Sequence, residues 1–113
     1  MKDFTLERNI SKLKQAAYNS MEAFSYQKLS VGSTAVSLTV PEGAKYADIS
    51  LESSNTTTVA VRFLITGGTP TSTDGKPLVH TTEFDILGVQ NLKKFKAIET
   101  ASGTHTLHIQ YWK

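Results

Sequence analysis

A chain of 113 residues has room for one domain and little more. Its formal charge of +2 comes from 12 Lys and Arg against 10 Asp and Glu, too small an excess for the basic stripe that tight nucleic-acid binding requires. The chain has no cysteine, which excludes disulfides, thiolate metal sites and cysteine nucleophiles and fits synthesis in a reducing cytosol. The opening Met1-Lys2-Asp3-Phe4-Thr5-Leu6-Glu7-Arg8 lacks a continuous apolar stretch, so no signal peptide is expected. The longest apolar run, residues 59–65, is interrupted by Arg62 and is too short to cross a bilayer as a helix.

The first 25 residues contain no Gly or Pro, and Leu6, Ile10, Leu13, Ala17, Met21 and Phe24 recur in steps of three and four. This spacing predicts a helical arm over residues 1–25, with Asp3 or Thr5 at its start and Glu7 in its first turns. Such an arm either covers the domain core or packs on a neighbouring subunit. Residues 26–113 change to period two and are expected to form one β domain. A short strand is expected over residues 26–31. Val36, Leu38 and Val40 then alternate with polar residues up to the turn Pro41-Glu42-Gly43. Ala47, Ile49 and Leu51 share one face of the next strand, opposite Tyr46, Asp48, Ser50 and Glu52.

Residues 56–66 form the strongest predicted strand, with Val59, Val61, Phe63 and Ile65 on one side and Ala60, Arg62 and Leu64 on the other. Apolar residues on both sides suggest a central strand, or a second face covered by a partner. Residues 67–77 read as a long turn-rich loop. Further strands are expected around Phe84 and Ile86, over residues 92–99, and over residues 104–112, where Leu107, Ile109 and Tyr111 share a face. About six to eight short strands separated by turn signals predict an all-β antiparallel sandwich or small jelly-roll-like barrel.

Little in the chain points to catalysis. His105 and His108 differ by an odd number and would face opposite sides of a strand, so they make no metal pair. His80 has no placeable carboxylate, and the three histidines are expected at the surface or an interface. Gly75-Lys76 lacks the glycine and the Ser or Thr of a phosphate loop, since Pro70 and Pro77 stand there. Glu83 and Asp85 share a strand face, read as solvated rather than as an acid–base pair. In the predicted strand over 92–99, Lys93 would be separated from Lys94 and Lys96. No enzyme activity, metal or cofactor is therefore expected. Carbohydrate binding is the alternative, with Trp112, Tyr46 and Tyr26 stacking on a sugar and Asn55, Gln110 and Asp74 supplying hydrogen bonds. Trp112 reads otherwise as a subunit contact.

Residues 31–112 resemble small β-sandwich virion structural proteins of tailed bacteriophages. The likeness rests on Val40-Pro41-Glu42-Gly43-Ala44 followed by Ala47, on Val61-Arg62-Phe63, on Gly68-Thr69-Pro70-Thr71, and on Gly75 and Leu78. It continues through Phe84-Asp85-Ile86, Gly88, Asn91-Leu92, Phe95-Lys96-Ala97-Ile98 and the closing Leu107, Ile109 and Tyr111. Gly67 stands where such proteins often carry Asp, and the first thirty residues have no counterpart. The resemblance implies a virion component, such as a capsid decoration, head fibre or neck or tail protein. It also implies assembly with capsid, portal or tail proteins and a homo-oligomer such as a trimer. The expected contact residues are Leu6, Ile10, Leu13, Ala17 and Phe24 on the arm, Arg62 and Leu64 on the two-sided strand, Thr69 and Pro70 in the loop, and Trp112.

Overall fold

Alternating burial from residue 46 onward organises two antiparallel sheets. The computed structural model describes residues 21–113. β1 (Ala23–Ser30), β2 (Val36–Ser37), β3 (Tyr46–Ser53), β4 (Val61–Leu64), β5 (Lys76–Leu78), β6 (Glu83–Leu87), α1 (Val89–Lys94), β7 (Lys96–Glu99) and β8 (His105–Trp112) follow in chain order. The first sheet has the order β1-β8-β3-β6 and the second β2-β7-β4-β5, each of four strands. Every pairing is antiparallel. The chain crosses between the sheets at most connections, so the two halves of the sandwich are built together.

The core lies between the sheets. Ile49, Leu51, Leu107, Ile109, Tyr111 and Ile86 point inward from the first sheet and meet Val61, Phe63 and Ala97 from the second. The Phe63 ring stacks on Phe84 at 4.7 Å and on Phe95 at 5.5 Å, joining the two layers through aromatic contact. One core-facing polar pair is satisfied in place: the Tyr111 hydroxyl donates to Gln27 Oε1 at 2.6 Å, and the same oxygen accepts the Thr39 N–H at 3.2 Å.

The all-β sandwich follows the sequence pattern, and several local expectations are corrected. Phe24 is not on a helix: it lies in β1, where Glu22 and Lys113 exchange backbone hydrogen bonds of 2.9 and 3.0 Å just before the β1–β8 ladder. That pairing makes the chain extended from residue 22, ahead of the expected boundary at 25/26. The remaining arm residues Leu6, Ile10, Leu13 and Ala17 lie outside the described residues.

The predicted strand over 92–99 begins as the helix α1. Leu92 and Phe95, three apart, both reach the core from it and its C-cap, while Gly88 at φ +93° makes the tight entry. Lys93 and Lys94 consequently sit together in its last turn, where the helix dipole favours positive charge. The strand expected over 56–66 is shortened to β4, because the Asn55 side chain accepts hydrogen bonds from the Thr57 and Thr58 N–H groups and holds those residues in a turn. Only Val36 and Ser37 of the second expected strand find a pairing partner, and Lys76 and Pro77, expected in a loop, pair with β4.

Ile109 is fully buried in the central strand β8. Ile109→Ala should cost about 2–5 kcal/mol of unfolding free energy in urea titration, whereas Val79→Ala, at a position 47% exposed, should change it by less than about 0.5 kcal/mol. An unchanged midpoint for Ile109→Ala would remove β8 from the core.

Candidate interaction site

The register of the first sheet arranges its outer face in rows. Tyr26, Gln110, Asp48 and Asp85 stand side by side across the four strands, and Lys28, His108, Ser50 and Glu83 form the next row. The face is therefore basic and aromatic toward β1 and acidic toward β6. Tyr26 is 60% exposed, and its hydroxyl donates to His108 Nδ1 at 2.6 Å. His108 Nε2 in turn donates to Glu52 Oε1 at 2.9 Å. That hydrogen bond holds the Glu52 carboxyl below the usual glutamate range. Its contribution to stability is present above the ordinary glutamate pKa and is lost as the pH falls through the lowered one. The hydroxyl, imidazole and carboxylate form one hydrogen-bonded chain on the sheet face.

Trp112 and Tyr46 stack at 5.4 Å on the same face, and the indole N–H donates to Asp48 Oδ2 at 2.7 Å. Tyr46 is buried and is therefore not the exposed aromatic expected of a sugar platform. Nor are the expected hydrogen-bonding residues gathered. Gln110 lies beside Tyr26, but Asn55 is engaged in its own turn, and Asp74 belongs to the loop on the second sheet.

One histidine departs from the expected surface or interface position. His105 is buried between Ser53 Oγ at 2.8 Å and the Ala101 carbonyl at 2.6 Å. Since a carbonyl only accepts, Nε2 carries the proton, and in the neutral ring Nδ1 accepts from the Ser53 hydroxyl. His80 Nδ1 accepts the Ser53 N–H at 3.1 Å. Both rings thus fasten the end of β3 to its surroundings.

On the second sheet, Arg62 and Leu64 face outward from β4 and are half-buried. The Arg62 guanidinium donates to the Gly75 carbonyl at 2.9 Å, and Pro70 is fully buried under the same loop. Gly75 adopts φ +133°, and a Cβ there would come within 3.1 Å of Arg62 Cβ and 3.2 Å of Pro70 Cβ. Pro70 is therefore a plug that seats the loop, in contrast to the exposed contact expected of it. Thr69 is exposed, with the Lys96 ammonium 3.5 Å from its hydroxyl. Phe24 is half-buried under the Lys113 ammonium, 5.0 Å from its ring centre. Among the described residues, the predicted contact set is thus divided: Arg62, Leu64 and Thr69 on the second sheet, Trp112 on the outside of the first, and Phe24 at the edge strand.

A different surface emerges where the sheets part. β5 and β6 are edge strands of opposite sheets, and between them runs a groove of about 360 Å³ floored by Phe63, Ile65, Leu78, Phe84 and Ile86. One rim carries Lys76 and Pro77, the other Asp85, with Glu83 two residues before it. Pro77 removes a donor from the β5 edge, and the acids of β6 discourage another strand from pairing there. Leu87, the last residue of β6, and Val89, the first of α1, are 53% and 37% exposed. The sequence signal was Phe84 and Ile86 alternating with Glu83 and Asp85. It showed a half-buried strand but not that its inner row lies at the mouth of the sandwich. No protein-family model, curated protein or solved structure matches the chain.

Burial pushes the Tyr46 hydroxyl up to about 12, with the Asp85 and Asp48 charges reinforcing it, and burial pushes Tyr111 up to about 12. In the unfolded chain both ionise near pH 10. The folded chain keeps protons that the unfolded chain has lost, so this contribution to stability is full below about pH 10 and is lost as the pH rises from there through about 12. Absorbance titration at alkaline pH should show Tyr46 and Tyr111 ionising late, with unfolding setting in over the same window. Tyr111→Phe should remove one late-titrating group, and titration of all tyrosines together near pH 10 would contradict the burial.

Proposed function

We propose that this chain is a non-enzymatic structural protein of a tailed-bacteriophage particle, acting as a capsid decoration, head fibre or neck or tail component. It works by protein–protein contact, assembles as a homo-oligomer, and uses the segment before β1 as an arm that docks on a neighbouring subunit. The observation that carries this reading is the apolar groove between the β5 and β6 edges. The half-buried Ile65 and Phe84 stand at its mouth, along an edge with no further strand among the described residues. Exposed apolar surface bordered by charge is the usual mark of a protein contact. The likeness of residues 31–112 to virion β-sandwich proteins supports the same reading. A rigid sandwich that presents one repeated surface needs no reactive centre to perform this role.

Quantitative mass spectrometry of purified intact particles from the source lysate tests the proposal. The chain should co-purify with the particles at a fixed ratio to the major capsid protein through density-gradient banding. A chain abundant in the lysate and missing from banded particles would overturn it. Retention on a glycan array, lost in Trp112→Ala, would replace it with the carbohydrate-binding alternative.

A further inference from the structure

The outer face of the first sheet carries a phenol, an imidazole and a carboxylate in series, and assembly by protein contact makes no use of their chemistry. The Tyr26 hydroxyl lies 2.6 Å from His108 Nδ1, and His108 Nε2 lies 2.9 Å from Glu52 Oε1. A carboxylate only accepts, so Nε2 carries the ring proton, and in the neutral ring the Nδ1 lone pair faces the Tyr26 hydroxyl. The sheet register fixes this order. Tyr26 stands in the row with Gln110 and Asp48, His108 in the next with Lys28 and Ser50, and Glu52 in the third with Thr106 and Ser30. The three side chains therefore run diagonally over β1, β8 and β3, on paired strands rather than on a loop. The Tyr26 and His108 rings are nearly parallel, 19° apart with centroids at 6.1 Å, which holds the phenol against its partner.

A hydroxyl, a base that can take its proton and an acid that orients the base are the three parts of an activated oxygen nucleophile. Access is suited to the same role. Tyr26 is 60% exposed, whereas Tyr46 and Tyr111 are buried, and the His108 side chain is only 28% exposed behind the phenol. Lys28 is exposed two residues from Tyr26 on the same face, directly opposite His108. It brings positive charge to the side where an attacked carbonyl oxygen becomes negative. Glu52 and Asp48 give the neighbouring rows negative charge, which favours an uncharged electrophile over a phosphoanion.

We infer that Tyr26 is a covalent acceptor site for uncharged activated acyl esters, with His108 as its base and Glu52 as the residue that positions His108. The Tyr26 oxygen attacks the ester carbonyl while its proton passes to His108 Nδ1. The tetrahedral intermediate collapses with cleavage of the bond to the leaving alcohol or phenol, which takes up the proton from His108. The products are a tyrosyl ester on Tyr26 and the free alcohol or phenol, and neutral His108 is restored. The site is independent of the assembly reading and lies on a different face from the β5–β6 groove.

Acylation of the full chain by p-nitrophenyl acetate tests the inference, with peptide mass spectrometry to locate the acetyl group and hydroxylamine to tell a labile tyrosyl ester from a stable lysyl amide. At neutral pH Tyr26 should be acetylated at least about tenfold faster than N-acetyltyrosine amide, the lower part of what a positioned base supplies. The rate should follow an imidazole titration rather than the phenol titration near pH 10. His108→Ala should return Tyr26 to the rate of the free amino acid. Glu52→Ala should slow it and alter the pH profile, whereas Glu52→Gln, whose amide oxygen still accepts from Nε2, should retain more of the rate. Tyr26→Phe should remove the hydroxylamine-labile adduct at that position. All three side chains lie on the outer face, and thermal melts matching wild type show that the variants remain folded. Acetylation of Tyr26 at the rate of the free amino acid would overturn the inference, as would a rate that His108→Ala leaves unchanged or adducts confined to Lys28 and His108.

Discussion

Withdrawal of Leu107, Ile109 and Tyr111 from water sets the register on which the rest of the structure depends. β8 lies between β1 and β3, so its inward row must match the inward rows of both neighbours. A slip of one residue would turn Thr106, His108 and Gln110 into the core and expose the apolar row. The penalty for such a slip is paid along the whole strand, which is why eight consecutive residues of β8 hold a regular ladder with β3. The outer face follows from the same constraint. Once Ile109 is paired with Ile49, the row Tyr26–Gln110–Asp48–Asp85 and the Tyr26–His108–Glu52 relay have no other place to form.

Closing a core between two four-stranded sheets leaves edges, and the chain treats its edges differently. The loop over the second sheet folds back on itself, with Pro70 buried and Arg62 tied to the Gly75 carbonyl, so the surface of β4 is covered from within. Beyond the ladder proper, Glu22 and Lys113 extend the β1–β8 pairing. The β5–β6 opening is not closed in this way. Pro77 and the Glu83–Asp85 pair guard it against strand addition, yet Phe84 and Ile86 remain at its floor. A surface guarded against strand addition suits a partner that brings side chains rather than backbone.

Polar interior groups fasten the ends of strands. Ser53 is a junction: its hydroxyl meets His105 and accepts the Asn55 N–H, and its own N–H is accepted by His80. These bonds satisfy the end of β3 where the chain leaves the sheet. Gln27 does the same on the opposite side, serving both Tyr111 and Thr39. Both sets connect strands already fixed by apolar burial, so they define loop positions more than they create the fold.

The alternation of Ala47, Ile49 and Leu51, and of Leu107, Ile109 and Tyr111, made the strands and their buried sides legible before any coordinates. The opposed faces of His105 and His108 were legible for the same reason. Period two is a property of one extended strand in isolation, so it is written in local sequence. Where local signals compete, the tertiary structure decided. Leu92 and Phe95 fit a strand or a short helix equally well until the core fixes which spacing reaches it. Phe24 continues a helical series until Ala23 and Ser25 on either side of it pair with Trp112 and Tyr111 and draw it into β1. Thr56 to Thr58 have strand-forming side chains, yet the Asn55 turn claims their backbone. Strand order belongs wholly to this second class. That Lys76–Leu78 and Glu83–Leu87 end as facing edges of different sheets, with Phe63 and Phe84 between them, depends on pairings between residues far apart in the chain. Such pairings are chosen by the total burial they achieve together, a quantity that no single segment carries.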